Sequence, residues 1–389
     1  MTALSRRSFI QVGGATGAAA LAAACAPAAA PAPTASQPTG GTQPSGQASD
    51  AWKQDWDRAV EAAKKEGKVV VITGSGSTYR KGFDLFETTY PGITVEHQGF
   101  ASMSIFAPKA IQERKAGIYS FDVAIIPSLT AFSTMKPEGF WDPIRPVLVH
   151  PEVTDDKAWG GGFEWGFLDK EKRFSYGYSW KRQVLLYRND DLIKDGEVKT
   201  FKDMLNPKWK GKIAFAEPWT SGYTYPMAMA IRDKFGDSAL RQLFVDMQPD
   251  FLRDPRLITE GLIRGKYAYV TGVPLPTLGE FVDQGIGKNV RPLFIPEIGH
   301  IGEDTVFVFN RAPHSNAAKV LINWLLTKAG QEVWSPILVA NSRRTDVKPV
   351  ETDAVVQPGD DKFLSRLHVE EVIPKIEETR EVLKNLLAK

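Results

Sequence analysis

The sequence predicts an α/β protein of two lobes, each built on a mostly parallel sheet and joined by two extended crossover strands. Three observations carry this reading. Between residues 68 and 130, apolar strands alternate with amphipathic helices over short connections, the pattern of an open parallel sheet. The same alternation returns between residues 201 and 295. A long extended aromatic stretch, Phe174 to Arg188, separates the two, and a further strand, Thr305 to Phe309, leads back.

The elements follow in order. Trp52, Trp56, Ala59, Val60 and Ala63 share one helical face, and Gly67 closes that helix. Lys68–Thr73 is apolar on both faces, as buried parallel strands are. A Gly-Ser-Gly-Ser-Thr loop, Gly74–Thr78, leads to a helix that Pro91-Gly92 breaks, and Ile93–His97 is the next strand. Ala101–Met103 forms a loop before a helix from Ile105 to Ala116. Phe121–Ile126 is a third strand, after which Pro127-Ser128 opens another helix. In the second half, Lys212–Ala216 and Tyr267–Val270 read as strands, with the loop Glu217–Gly222 and a helix from Tyr225 between them. Tyr267 and Tyr269 alternate within a strand and are expected in the core. Arg291–Ile295 is a further strand, and helices are expected over 316–327, 330–334 and 362–387.

Composition narrows the function. A formal charge of +2, part of it from Arg6 and Arg7, leaves a near-neutral body and argues against nucleic acid as a partner. Five histidines without paired spacing argue against a histidine metal site, and no cofactor is expected. A single cysteine, Cys25, permits no internal disulfide. Gly74-Ser-Gly76 is followed by Tyr79 where a dinucleotide fingerprint needs glycine. Gly-x-Ser-x-Gly and His-Glu-x-x-His are absent, so no motif favours an enzyme.

The N-terminus carries an address. Arg6-Arg7 followed by Phe9 resembles a twin-arginine export signal, and Cys25 sits where a lipoprotein signal peptide is cut and acylated. The Ala/Gly run between them falls short of the about 20 strongly apolar residues a spanning helix needs. The protein is therefore expected in the cell envelope, periplasmic or on the outer face of the cytoplasmic membrane, lipid-anchored at Cys25. Residues 26–50 are Pro, Ala, Ser and Gly-rich and read as a disordered tether. The remaining divisions are 1–25 signal peptide, 51–180 first part of lobe 1 and 181–303 lobe 2. Residues 304–389 are assigned to the return crossover and C-terminal helices, mainly on lobe 1.

Several stretches in this order resemble extracellular solute-binding proteins of ABC importers, in the ferric-iron-type branch. They are Ala62–Val71, Phe86–Glu96, Glu113–Gly117 with Phe121–Val123, Leu205–Ile213, Ala317–Leu326 with Gly330-Gln331, and Arg344–Val347. The resemblance implies the type II periplasmic-binding-protein fold, a monomer that closes on its ligand like a Venus flytrap, and a membrane permease as partner. It also implies that no bond is made or broken. The iron binders of that family hold Fe(III) with two neighbouring tyrosines, often with a histidine and a carboxylate. Here no adjacent tyrosine pair exists, and Thr271-Gly-Val-Pro follows the strand Tyr267–Val270. No metal ligands are therefore assigned, and a small organic solute, an anion, becomes the leading ligand. A ferric receptor with unconventional ligands and an exported enzyme on the same fold remain as alternatives.

Candidate ligand-binding residues follow from two rules. Open α/β sheets bind beyond the carboxyl ends of their strands, and Ser/Thr/Gly loops that open helices offer free amides to anions. These select Ser75, Gly76, Ser77, Thr78, Ser102, Ser128, Thr220, Ser221, Gly222 and Thr271. Tyr178 and Trp180 on the crossover and Tyr223 after the Thr-Ser-Gly loop join them, and the resemblance adds Arg343, where some members of the family use an arginine near the hinge.

Overall fold

The computed structural model describes residues 45–74, 78–100, 103–183, 186–218, 223–356, 358 and 369–388. Helix α1 (Ser45–Glu66) buries Trp56, Ala59 and Ala63, as its periodicity requires. Gly67 ends it at a φ of +75°, a left-handed value glycine takes without steric cost. The helix reaches back into residues 45–50, which the composition assigns to the tether; once nucleated, a helix extends at little cost.

The chain then alternates as expected. Strand β1 (Lys68–Gly74) is followed by α2 (Thr78–Thr89), β2 (Thr94–Phe100) by α3 (Met103–Lys115), and β3 (Val123–Ile126) by α4 (Ser128–Thr130). After β4 (Trp141–Asp142) and α5 (Pro151–Thr154) comes the first crossover, β5 (Ser175–Gln183). The second lobe contains β6 (Leu186–Asn189), α6 (Phe201–Met204), β7 (Ile213–Ala216), α7 (Thr224–Phe235) and α8 (Asp237–Arg241). It continues through β8 (Asp250–Leu252), α9 (Pro255–Ile263), β9 (Tyr269–Thr271), α10 (Leu275–Asp283) and β10 (Val290–Leu293). The return crossover is β11 (His300–Phe309). Helices α11 (Ser315–Leu326) and α12 (Lys328–Leu338), strand β12 (Asn341–Ser342) and α13 (Ile373–Leu387) follow.

Two sheets result. The first has the order β12-β5-β11-β3-β1-β2 with β4 on β11, the second β10-β6-β9-β7-β8. Both are mixed. Parallel pairing is confined to β3-β1-β2 and β9-β7-β8, because the crossover strands and their neighbours pair antiparallel. Each sheet is covered on both faces. Val69, Val71 and Val306 pack under Phe83, Phe86 and Trp334, while Val70, Ile72 and Phe307 pack under Phe106, Phe132 and Trp141. In the second sheet Ile213, Phe215 and Tyr269 meet α7 and α8, and Ala214, Ala216 and Val270 meet Ile258 and Leu262 of α9. Strand alternation sends neighbouring residues to opposite cores.

The C-terminal helix departs from expectation. Rather than covering lobe 1, α13 buries Leu383 completely in the core of the second sheet, among residues such as Met227 and Phe244. Its amphipathic pattern demands a partner surface but does not say which.

Candidate functional site

In both sheets each parallel strand hands over to a helix within a few residues. The starts of α2, α3 and α4 follow β1, β2 and β3; those of α7, α9 and α10 follow β7, β8 and β9. The two lobes touch through one small cluster, in which Leu129 of α4 and Tyr225 of α7 pack against buried Met229 of α7 and Ile376 of α13. These helix starts carry the positive poles of α2, α3, α7, α9 and α10, with that of α9 capped by Asp254, whose carboxylate accepts the Arg256 N–H at 2.8 Å. This is where an open α/β sheet takes a ligand.

Seven of the residues selected from sequence, Ser75, Gly76, Ser77, Ser102, Thr220, Ser221 and Gly222, lie outside the described residues, as does Cys25. Thr78 opens α2 and is exposed. Tyr223 immediately precedes α7 and is half-buried, and burial raises its phenol pKa. These two stand at helix starts.

The remaining selected residues are interior. Ser128 is fully buried at the start of α4. Thr271 is fully buried at the end of β9, where its hydroxyl accepts the Ala216 N–H at 3.0 Å. Thr224 donates its own hydroxyl hydrogen to the Ala216 carbonyl at 2.5 Å, so Thr271 donates to Thr224 across 2.8 Å. The pair fastens the first turn of α7 to β7 and β9 and fixes both ends of the loop between them. Tyr178 is fully buried and its hydroxyl accepts from the Trp334 indole N–H at 3.1 Å. Burial first, then the neighbouring Asp304 carboxylate, drives its phenol pKa far up. Trp180 is buried against Trp165, ring centres 5.3 Å apart. Strand alternation did put Tyr176, Tyr178 and Trp180 on one face, but helix α12 and the rings of Trp159, Phe163, Phe167 and Trp165 cover that face.

Arg343 is interior as well. It is 3% exposed and donates to the carbonyls of Gly177 at 2.7 Å and of Gly160 and Gly162 at 3.1 Å. Trp165 and Trp159 flank its guanidinium, at 5.3 and 5.6 Å from their ring centres. These bonds tie β5 to the segment before it.

Two residues that the sequence reading passed over stand at or beside the crossover ladder. Asp304 on β11 is half-buried opposite Ser179 of β5, whose hydroxyl donates to it at 2.9 Å. The ladder is irregular between Asp304 and Thr305, the kind of bulge that re-aims a side chain. Tyr79, in the first turn of α2, has its phenol pKa raised by burial and then by Asp304. Behind it, Thr73 donates to the Gly74 carbonyl at 2.7 Å, so His97 Nε2, 2.6 Å from that hydroxyl, carries the proton toward it. The available signal was position: Asp304 lies in the return crossover, opposite a crossover serine.

Among the described residues no group of three or more His, Cys, Asp or Glu side chains is arranged to hold a metal. Among the same residues, no helix is long and apolar enough to cross a membrane.

Comparison with known proteins agrees with this architecture. Two curated relatives from Synechocystis, Iron uptake protein A2 and Iron uptake protein A1, are 20% and 18% identical over 51% and 54% of this chain. The chain spans 57% and 58% of their lengths. Among solved structures, the Trichodesmium FutA protein in complex with iron and citrate ligands superposes with a TM-score of 0.60 at 14% identity. It covers 83% of this chain and 100% of that one. A substrate-binding protein of an ABC transporter from Agrobacterium tumefaciens gives 0.60 at 13% identity, over 82% and 94% of the two chains. The ferric binding protein from Campylobacter jejuni gives 0.58 at 14%, over 82% and 99%. At such identities these likenesses speak to the fold, two lobes of the type II periplasmic binding protein. Residues 71–332, most of the chain, match the model for bacterial extracellular solute-binding proteins, and the chain belongs to that family.

Proposed function

We propose that the protein captures a small organic anion between its two lobes and delivers it to the permease of an ABC importer, with no chemical step. What supports this is that in both sheets the parallel strands hand over to helices, so that helix starts stand at the carboxyl ends of both parallel cores. Each start contributes amides without helical partners and a partial positive charge, and together they favour an anionic group. Lobe closure over the solute would present a distinct surface to the permease. On this reading the protein is an exported monomer, routed by the twin-arginine segment and anchored through acylated Cys25, and the helix starts with Thr78 and Tyr223 contact the solute.

A second reading, ferric iron, is favoured by the names of the relatives above. Tyr79, Tyr223 and Asp304 supply the hard oxygen donors it would need, and an iron–carboxylate chelate would draw on both sets of groups. A thermal-shift panel separates these readings. Carboxylates, sulfonates and phosphonates are tested alone, against ferric salt alone and ferric citrate. At a hundredfold excess over Kd a bound solute stabilises by about 2.7 kcal/mol. The proposal expects a rise with one organic anion and none with ferric salt; a rise with ferric salt alone selects the second reading.

A further inference from the structure

The last described segment, 369–388, runs from one lobe to the other. Val369 and Ile373 pack on the first-lobe core that includes Phe132 and Phe307. Glu370 is tied to the same lobe: Lys136 donates to its carboxylate at 2.6 Å, as does the Lys170 backbone N–H at 3.0 Å. Its own N–H donates to the Leu168 carbonyl at 2.9 Å. One turn further along, Val372 and Ile376 join Leu129 of the first lobe to Tyr225 and Met229 of the second. The other anchors from Lys375 onward, among the described residues, are in the second lobe. Lys375 meets Asp233 at 2.5 Å, Arg232 meets Glu378 at 2.6 Å, Arg380 lies over the Tyr225 ring, and Leu383 is buried in the second core.

We infer that this segment is a third connection between the lobes, a strap whose apolar wedge of Val372, Ile373 and Ile376 sets how far they separate. The segment lies outside the stretch 71–332 that matches the family model, so the family match does not account for it. The wedge is made of side-chain packing, so it releases without breaking any strand pairing. Separating the lobes on this flank pulls Leu129 away from Met229 and Ile376 while Glu370 and Leu383 hold the two ends of the segment. The strap thus favours the lobe spacing seen here and resists wider opening, independently of which solute binds.

Interlobe distances test this. Spin labels go on Leu85→Cys of α2 and Val282→Cys of α10, both exposed, in a full-length Cys25→Ser background without added solute. The parent should give one narrow distance distribution. Ile376→Ala with Leu129→Ala should raise a longer-distance population about tenfold or more, since truncating a buried aliphatic commonly shifts an equilibrium by that much. Glu370→Gln, which leaves both apolar cores intact, should raise it by up to about fivefold. It keeps the test decisive if the double variant unfolds. Unchanged distributions in the folded variants would overturn the strap.

Discussion

The paired crossovers β5 and β11 join the lobes by main-chain hydrogen bonds, whereas the C-terminal segment joins them by side chains. The ladder from Ser175↔Phe307 to Gln183↔His300 is broken only by a slip in register between Asp304 and Thr305. Arg343 stiffens it from behind by bonding three carbonyls. The cluster of Leu129, Met229 and Ile376 has no such ladder and separates as a surface. A two-lobed receptor needs both properties. On the proposed lobe closure, one flank flexes without parting and another parts at modest cost. Replacing residues in each region shows whether they divide the work this way.

The largest effect is expected at the ladder. Arg343→Ala deletes a buried, hydrogen-bonded cation and leaves the Gly160, Gly162 and Gly177 carbonyls short of a donor. A loss of about 3 kcal/mol or more is expected in urea unfolding, since each buried carbonyl left without its donor costs about 1–3 kcal/mol. Arg343→Lys should recover only part of it, because one ammonium cannot span three carbonyls as a planar fork does. A near-wild-type melting curve for Arg343→Ala, together with lost solute binding, would instead make this a ligand contact.

A smaller effect is expected at Thr271. Thr271→Val keeps the shape and removes the hydroxyl that serves the Ala216 N–H and the Thr224 hydroxyl. The expected cost is about 1–3 kcal/mol, and solute affinity should fall along with stability because the loop between β7 and α7 loses its footing. Loss of affinity at full stability would point to direct contact.

The smallest effect is on pH dependence. Burial, then Arg80, lowers the His97 pKa. Burial likewise lowers that of His150, with Glu152 opposing and Arg344 adding to it, and His150 Nδ1 is buried without a hydrogen-bond partner. Both imidazoles therefore stay neutral in the folded chain at a pH where the unfolded chain binds protons. Stability should fall as pH drops through about 6.5, the unfolded histidine value, and continue to fall until the folded pKa values are passed. His97→Gln should flatten part of that slope in melts run from pH 7.5 to 5. An unchanged slope would show that His97 is not a contributor.

These contrasts also show what the sequence made legible. Repeating strand–helix units and the aromatic run before Arg188 suffice for two lobes and a crossover, because period and turn chemistry are local. The first half of β11, His300–Asp304, carries a glycine and two acids and lacks an apolar pattern, so Asp304 went unnoticed until β5 lay beside it. Tyr178 and Trp180 lie on the predicted strand, yet only tertiary packing shows that Trp334 and Trp165 cover them. The same limit applies to α13. Its apolar stripe is visible in the sequence, but which lobe receives Leu383 depends on the fold of both.

The most direct test of the central claim is the solute itself. Protein purified from its native host is denatured, and the released small molecules and metals are quantified against protein. The account predicts one organic anion released in about equimolar amount, with metal present only in proportion to a chelating anion. Stoichiometric iron without an organic partner, or a released cation such as a polyamine, would contradict it.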